Sequence, residues 1–302
     1  MHVRLAAPAK VNLHLAVFDR RADGFHDLVS LFQAVDLADV LRLERTGSEG
    51  PVTVRGVPGL PHESNLVTRA IELFRRRAGV TEGVDAAIDK RIPMGAGFGG
   101  GSSDAAAALR CLQSLYGSPL DEEAIRDCAL SLGSDVPFFL CAAAAVVEGR
   151  GERVSAIAPR LDFAIVAATP QERVSTTEAF AWLDADREAG RWRGGEIGDP
   201  RAVERAYLGQ PAAGWPFGNA FDGPVADRLA SVAAIRERMR AAGASAAQLT
   251  GSGSTVIAVF ARREAAAACA GALAADPPPG CAPGDVRLLA PLASLGTVEY
   301  YG

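Results

Sequence analysis

Residues 93–109 read PMGAGFGGGSSDAAAAL: Gly95, Gly97, Gly99, Gly100 and Gly101 crowd together, Ser102 and Ser103 follow, and the chain turns at once into alanines. Glycine is the most entropically costly residue to order and alanine the best helix former, so the stretch must do something that side chains would obstruct. A helix that starts here offers free backbone N–H groups and the positive end of its dipole. Glycines let the preceding backbone wrap closely round a ligand, and the serines add hydroxyls. Phosphate is the ligand that suits this arrangement best. A plain glycine turn with Ser102, Ser103 or Asp104 as an N-cap is the structural alternative, but a cap does not need this many glycines.

Several phosphate loops are excluded by spacing. Gly95, Gly97 and Gly100 fit G-x-G-x-x-G, yet about ninety residues of mixed elements precede them, whereas a dinucleotide fold carries that fingerprint in its first strand–helix turn. Gly100 is followed by Gly101, so the Gly-Lys-Ser/Thr of a Walker A loop is missing. No His-Arg-Asp or Asp-Phe-Gly of a protein kinase is present.

The elements that must position this loop can be read from periodicity. AKVNLHLAVF alternates as a strand, RRADGFHDL breaks it, and LADVLRLER and PVTVRGV read as further strands. ESNLVTRAIELFRRRAG predicts an amphipathic helix capped by Ser64 or Asn65 and closed by Gly79. VDAAIDKRIP is a strand that enters the loop; helices follow over 104–116 and 121–132. Beyond VVEGRGERV come a buried strand in DFAIVAAT, a helix capped by Ser175 or Thr176, a loop or loosely ordered insertion over 186–218, and one helix ending at Gly243. A strand–glycine turn–strand over 244–260, a helix over 261–275 and a last strand in DVRLLAPL complete the chain. Strands and helices mix without regular βαβ alternation, so the fold class expected is α+β, in two domains, residues 1–155 and 156–302.

Bulk properties bound the function. The 302 residues carry a net charge of −5, with 49% hydrophobic and 22% charged residues. That composition is globular and gives no support to nucleic-acid or membrane-surface binding. No charge-free stretch is long and apolar enough to span a bilayer. The five cysteines are odd in number and widely spaced, with no zinc-like cluster. A reducing cytoplasm fits best, with a monomer or a homodimer expected.

The segment PMGAGFGGGSSDAA resembles the central motif of the GHMP kinases; APAKVNLHLAV is similar to their first motif and LTGSGSTVIAVF to their third. Within that superfamily AKVNLHL, RADGFHDL, SLFQAVDLADVL and GSDVPFF resemble the branch that phosphorylates the 2-hydroxyl of a cytidine diphosphate-linked methylerythritol, a step of non-mevalonate isoprenoid synthesis. The resemblance implies a ribosomal-protein-S5-like first domain and a ferredoxin-like second one. It implies ATP bound along Pro93, Met94, Gly95, Ala96, Gly97, Phe98, Gly99, Gly100, Gly101, Ser102 and Ser103, with Asn65 and Lys90 beside it. Mg²⁺ should accompany ATP, with Ser102 or Ser103 as its contact.

The resemblance makes Lys10 and Asp135 the catalytic pair; alone they read as a solvated strand-edge lysine and a turn aspartate. A carboxylate can take the proton of a poorly nucleophilic hydroxyl, and an ammonium keeps it ionised and offsets developing charge. Phe25 and His26 stand where the family has Tyr-His; the ring would stack on cytosine and the histidine would meet its edge. Asn12 is implied to orient the substrate, with Arg150, Thr176, Gly251 and Gly253 as weaker contacts that ordinary turns and caps also explain. Asp104 is an acid beside a phosphate loop and is expected to point away from it. GNAFDGPV departs from the family's usual Asn-Asp pair after Asn219. The alternatives are a GHMP kinase for another small alcohol of homoserine or mevalonate type, which has no use for Phe25-His26, a non-catalytic nucleotide sensor, which has no use for Lys10 and Asp135, and a dehydrogenase, which needs the first-turn fingerprint.

Overall fold

The N-terminal alternation forms a strand longer than the pattern suggests. β1 spans His2–Arg20 and pairs antiparallel with β2, His26–Glu49, across the turn at 21–25. From Ala7 to Val17 every residue of β1 is buried, because both faces of the strand are covered there. This computed structural model describes residues 1–57, 59–192 and 194–301. In chain order, β3 (Val52–Arg55), α1 (Leu66–Ala78), β4 (Glu82–Asp89), α2 (Gly100–Leu115), α3 (Glu122–Leu132), α4 (Phe138–Cys141), β5 (Ala144–Gly149) and β6 (Arg153–Ala156) complete the first unit. Its sheet runs β11-β1-β2-β4-β3, with β5 and β6 added beside the first part of β2.

Helices α1 and α2 cover one face of this sheet, and α3 packs on both of them. Asn65 Oδ1 accepts the Val67 N–H as the α1 cap, and Gly79 ends the helix in the left-handed region. Ala105, Ala106, Ala107 and Ala108 of α2 are buried, so the helix lies close on the sheet, in one core with Phe138 and Ile71.

The second unit holds β7 (Ala164–Ala168), α5 (Thr176–Glu188), α6 (Pro200–Gly209), α7 (Asp222–Ala226), α8 (Ala230–Ala241), β8 (Ala246–Leu249), β9 (Val256–Phe260), α9 (Arg263–Ala275) and β10 (Val286–Leu289). Its antiparallel sheet has the order β10-β7-β9-β8, which is the ferredoxin-like arrangement. Ser175, not Thr176, caps α5, in a reciprocal box with Glu178. The five cysteines are free thiols.

Four expectations change. Residues 186–218 are not a bare insertion: α6 lies within them, started by the Asp199 cap and Pro200, and it buries Tyr207 next to Trp215. Arg193 of that segment lies outside the described residues. The single helix ending at Gly243 is two, because Leu229 is extended between α7 and α8. The helix after the glycine stretch starts at Gly100, not at residue 104, since glycine can enter the helical region as freely as any other. Finally, β11 (Glu299–Tyr301) returns to the edge of the first sheet beside β1, held by an Arg4–Glu299 ion pair of 2.7 Å, so residues 156–302 are not one unit. Three exposed residues are too few for period-two patterning to reveal a strand.

The two units are joined by polar contacts as well as apolar ones. Leu15 N–H donates to Gly218 O at 2.8 Å and Ala220 N–H to Leu15 O at 2.9 Å. Tyr207 Oη donates to Gln33 Oε1 at 2.8 Å, and Gln248 Nε2 to Leu13 O at 2.8 Å. The β8–β9 turn of the second unit meets the glycine loop of the first, where the Thr250 hydroxyl lies 3.3 Å from the Gly97 carbonyl.

Candidate active site

The glycine loop is bare because it is wedged on both sides. A Cβ at Gly97 would strike the Thr250 carbonyl, and one at Gly99 would stand 3.1 Å from Lys10 Cε and 3.2 Å from Phe139 Cζ. Both glycines also have positive φ, 85° and 70°. Ser103 N–H makes a helical bond to Gly99 O at 2.9 Å. The N–H groups of Gly100, Gly101 and Ser102 precede it in the helix and are thus left for a ligand at the dipole's positive end.

Lys10 comes off β1 into the same point. The residue is 3% exposed, and a buried ammonium is a costly state that needs compensation. Asn12 Oδ1 accepts its proton at 2.7 Å, Asp135 Oδ2 lies at 3.4 Å, and the Phe32 ring faces it at 4.4 Å. Asn12 sits two residues on, so its side chain shares the face of Lys10, and a register shift in the β1–β2 ladder follows it. Asn12 Oδ1 also accepts the Gly251 N–H at 2.8 Å and the Thr250 hydroxyl at 3.2 Å, while Nδ2 donates to Ser30 Oγ at 2.9 Å. Its carbonyl is therefore committed to protein donors. The expected substrate-orienting role passes to the frame it makes for Lys10.

On the other side of the loop a smaller cavity of about 350 Å³ is lined by Leu60, Asn65, Lys90 and the backbone from Pro93 to Ser102. Ala96 and Phe98 turn their side chains into the core, so they contribute main chain only. Asn65 spends its carbonyl oxygen as the α1 cap and borders the cavity. Lys90 Nζ is held between Asp39 Oδ2 at 2.5 Å and Asp104 Oδ2 at 2.9 Å. Asp39 Oδ1 meanwhile takes the N–H groups of Arg91 and Ile92, pinning the entry to the loop. Asp104 lies in the second turn of α2, buried, with its carboxylate turned to Lys90 while still bordering the cavity. Burial pushes Asp104 up to about 7; the Lys90 ammonium opposes this and the Asp39 carboxylate adds to it. Burial disfavours the Lys90 ammonium, but the two carboxylates outweigh it and hold Lys90 above the ordinary lysine range.

The larger cleft, about 780 Å³, opens between the units and is lined by Lys10, Asp135, Phe25, His26, Arg150, Thr176 and Gly251 among others. Gly97 and Gly99 line both cavities, so the loop is the wall through which they meet. Phe25 is 53% exposed, with the Arg150 guanidinium 4.6 Å over its ring. His26 is buried; its Nδ1 lies 2.9 Å from Phe18 O and its ring stacks on Phe180 at 4.8 Å. Thr176 Oγ1 meets Ser252 Oγ at 3.2 Å across the cleft floor. Gly253 is the exception. A Cβ there would face Leu249 and Val174, so it serves the turn inside the second core, and Ser252 stands at the cleft in its place.

The arrangement has known counterparts. The GHMP kinases N terminal domain matches residues 65–143 and the GHMP kinases C terminal domain residues 216–278. The 4-diphosphocytidyl-2-C-methyl-D-erythritol kinase of Anaeromyxobacter dehalogenans is 44% identical over 272 residues, 88% of this chain and 83% of that protein. The chain belongs to the 4-diphosphocytidyl-2-C-methyl-D-erythritol kinase family of GHMP kinases. A crystal structure of a 4-(cytidine 5'-diphospho)-2C-methyl-D-erythritol kinase superposes with a TM-score of 0.78 at 34% identity, covering 96% of this chain and 99% of that one. A homoserine kinase from Cytophaga hutchinsonii shares the fold, with a TM-score of 0.74, 17% identity, and coverage of 99% and 96%.

Membership of this kinase family makes the chain an ATP-dependent phosphotransferase. The smaller cavity fits that cosubstrate: bare glycine backbone, a helix N-terminus and the Ser102 side chain line it, whereas Ser103 is buried and is not part of the lining. Sequence reasoning missed Asp39, Phe180, Asp184 and Ser252. Phe180 and Asp184 are four apart on α5 and so share a face, a spacing visible in the sequence but indistinguishable there from an ordinary amphipathic helix.

Proposed function

We propose that this chain transfers the γ-phosphate of ATP to the 2-hydroxyl of 4-diphosphocytidyl-2-C-methyl-D-erythritol, in the methylerythritol phosphate route to isoprenoids. The observation that carries the mechanism is the Lys10–Asp135 pair, 3.4 Å apart, at the point where the two cavities share Gly97 and Gly99. ATP supplies the electrophilic phosphorus and its phosphates lie along Gly99–Ser103. Asp135 takes the proton of the acceptor hydroxyl as the new P–O bond forms and the bond to the ADP leaving group breaks. Lys10, fixed by Asn12, offsets the charge that develops on the transferring group. Phe25, His26, Arg150 and Thr176 hold the cytidine diphosphate end, and Gly251 presents backbone to the reacting end.

Among the described residues no group of three His, Cys, Asp or Glu side chains gathers to hold a metal. Mg²⁺ fits instead as an ion carried by the ATP phosphates and water, with Ser102 or Ser103 as a hydroxyl contact. The free cysteines support a reducing, cytoplasmic setting. Among the described residues no helix is long and apolar enough to cross a membrane. We place the protein there as a monomer or homodimer acting on a small molecule, without nucleic acid or membrane.

A coupled ADP-release assay with Mg-ATP tests this, offering the cytidine-linked substrate, its cytidine-free sugar phosphate, homoserine and mevalonate. Turnover confined to the cytidine-linked substrate is expected. Turnover of another alcohol instead would discard the substrate, and ATP binding without any turnover would discard the activity.

A further inference from the structure

A ring of hydrogen bonds closes between the two units, and one buried side chain completes it. Asn219 is 2% exposed. Its Nδ2 donates to the Leu249 and Gly251 carbonyls, each at 2.9 Å, and its Oδ1 accepts the Phe221 N–H at 3.0 Å. Both amide hydrogens are thus spent within the protein. The main chain around Asn219 is bridged to β1, where Leu15 N–H donates to Gly218 O at 2.8 Å and Ala220 N–H to Leu15 O at 2.9 Å. Asn12 stands on the same strand, and its Oδ1 takes the Gly251 N–H at 2.8 Å and the Lys10 ammonium at 2.7 Å. The path runs from Leu15 to Asn219, through Gly251 to Asn12, and back along β1. Asp222 Oδ1 adds the Leu249 N–H at 2.7 Å, so Leu249 and Gly251 are each held at both main-chain groups. The β8–β9 turn depends on this grip: Gly251 and Gly253 have positive φ, 58° and 96°, and glycine supplies no side chain to pack.

We infer that Asn219 is a positioning residue, which fixes the β8–β9 turn on β1 and, through Gly251 and Asn12, sets the direction of the Lys10 ammonium. The inference rests on the role proposed above for Lys10. Asn219 lines neither cavity, so it acts on the reacting groups only through the ring. Loss of its two donors takes these partners from the Leu249 and Gly251 carbonyls and lets the turn swing on its glycines. The Gly251 N–H then leaves Asn12, and Asn12 turns with the ammonium it holds. The effect belongs in the chemical step, because Asn219 bonds to Gly251, which faces the reacting end, and to nothing that holds the cytidine end.

The test is Asn219→Ala in the full chain, with kcat counted per ATP-binding site by titration calorimetry. This kcat should fall about 10- to 100-fold while the KM values of ATP and of the cytidine-linked substrate stay within about 2-fold. Asn219→Ser can still accept the Phe221 N–H as a local turn but cannot bridge both carbonyls. It should show the same split, and it answers the question if the alanine variant folds poorly. Leu273→Ala, in the second unit's core on α9, is the control for lost stability alone, and its kcat should hold. In a double-mutant cycle with Asn12→Ala the losses should overlap, the pair being less impaired than the product of the single effects. Wild-type kcat in both Asn219 variants, a loss carried wholly by either KM, or strict multiplication with Asn12→Ala overturns the inference alone, in an enzyme that Lys10→Ala impairs. An equal kcat loss in Leu273→Ala makes the effect structural and overturns it as well. A Lys10→Ala enzyme with undiminished kcat, or a wild type that does not turn over the cytidine-linked substrate, overturns the function proposed above together with the inference.

Discussion

Asn12→Ala removes one acceptor oxygen that serves three donors, and its cost can be worked from their geometry. The Thr250 hydroxyl, 3.2 Å away, has the Gly97 carbonyl at 3.3 Å as a replacement and so loses little. Lys10 Nζ, at 2.7 Å, and Gly251 N–H, at 2.8 Å, have no equal substitute. Each stranded donor costs about 1–3 kcal/mol, the charged one at the upper end, and water entering the vacated space returns part of it. A net loss of about 2–4 kcal/mol of unfolding free energy follows. The ammonium keeps Asp135 at 3.4 Å and the Phe32 ring, so it stays in the site, but its direction is no longer set. A misplacement of about 1 Å at a phosphoryl-transfer centre lowers kcat by about 10²-fold. Urea unfolding gives the first quantity and steady-state kinetics the second, with the ATP KM expected to hold. The reasoning fails if stability stays within about 0.5 kcal/mol of wild type. It also fails if the whole effect appears in the KM of the cytidine-linked substrate, since that would make Asn12 a substrate ligand and not the anchor of Lys10.

Three further outcomes are expected. Asp135→Asn should lower kcat by about 10²–10⁴-fold while calorimetry still finds ATP bound, because the amide cannot take the hydroxyl proton. Gly97→Ala should lose about 1–2 kcal/mol in urea unfolding from the left-handed backbone alone, and turnover with it, since the added methyl pushes on the Thr250 carbonyl; a normally active Gly97→Ala enzyme would show that the loop is not wedged. Asp104 is raised from 3.8 to about 7 by burial, so between about pH 4 and 7 the folded state holds a proton that the unfolded state has released. Its contribution to stability is present below pH 4 and is lost as pH rises through 7, by at most about 1.4 kcal/mol per unit. Buried His14, lowered to about 4, acts with the opposite sign over most of that range, so the measurement is the difference between wild type and Asp104→Asn across a pH series of urea titrations. The difference should slope in that window and flatten above it.

What could be read from the sequence is local. The glycine stretch, the Asn65 cap, the Gly79 stop and the alternation of β1 are each decided within a few residues, and the structure has them there. The β5–β6 hairpin was not legible, because its inner residues Ala144–Val147 form a short apolar run without alternation, and α6 was hidden behind the Gly- and Arg-rich stretch before Asp199. Strand β11 gives no pattern at all. The candidate site divides the same way: Lys10, Asp135 and the loop carry family spacing, whereas Asp39 looks like any residue of a strand and Asp184 like any polar position on a helix.

The residues that could not be read share one property, which is that their partners are distant in the chain. Asp39 acts on Lys90 and the loop entry, some fifty residues on; Asp184 on His26; Thr250 on Asn12 and Gly97. The last pair explains the opening feature of the chain. A phosphate loop needs glycine for the ligand's approach, but Gly97 and Gly99 are bare for a second reason: the second unit's turn and the Lys10 stem press on them from outside. Each side of the loop thus constrains the other. Movement of the β8–β9 turn would be felt at Asn12, at Lys10 and at the wall between the two cavities together. The Asn12→Ala and Gly97→Ala variants should therefore couple, with a double mutant less impaired than the product of the two single effects, because either change alone already frees the same contact. Strict multiplication in kcat would mean that the two sides of the loop act independently.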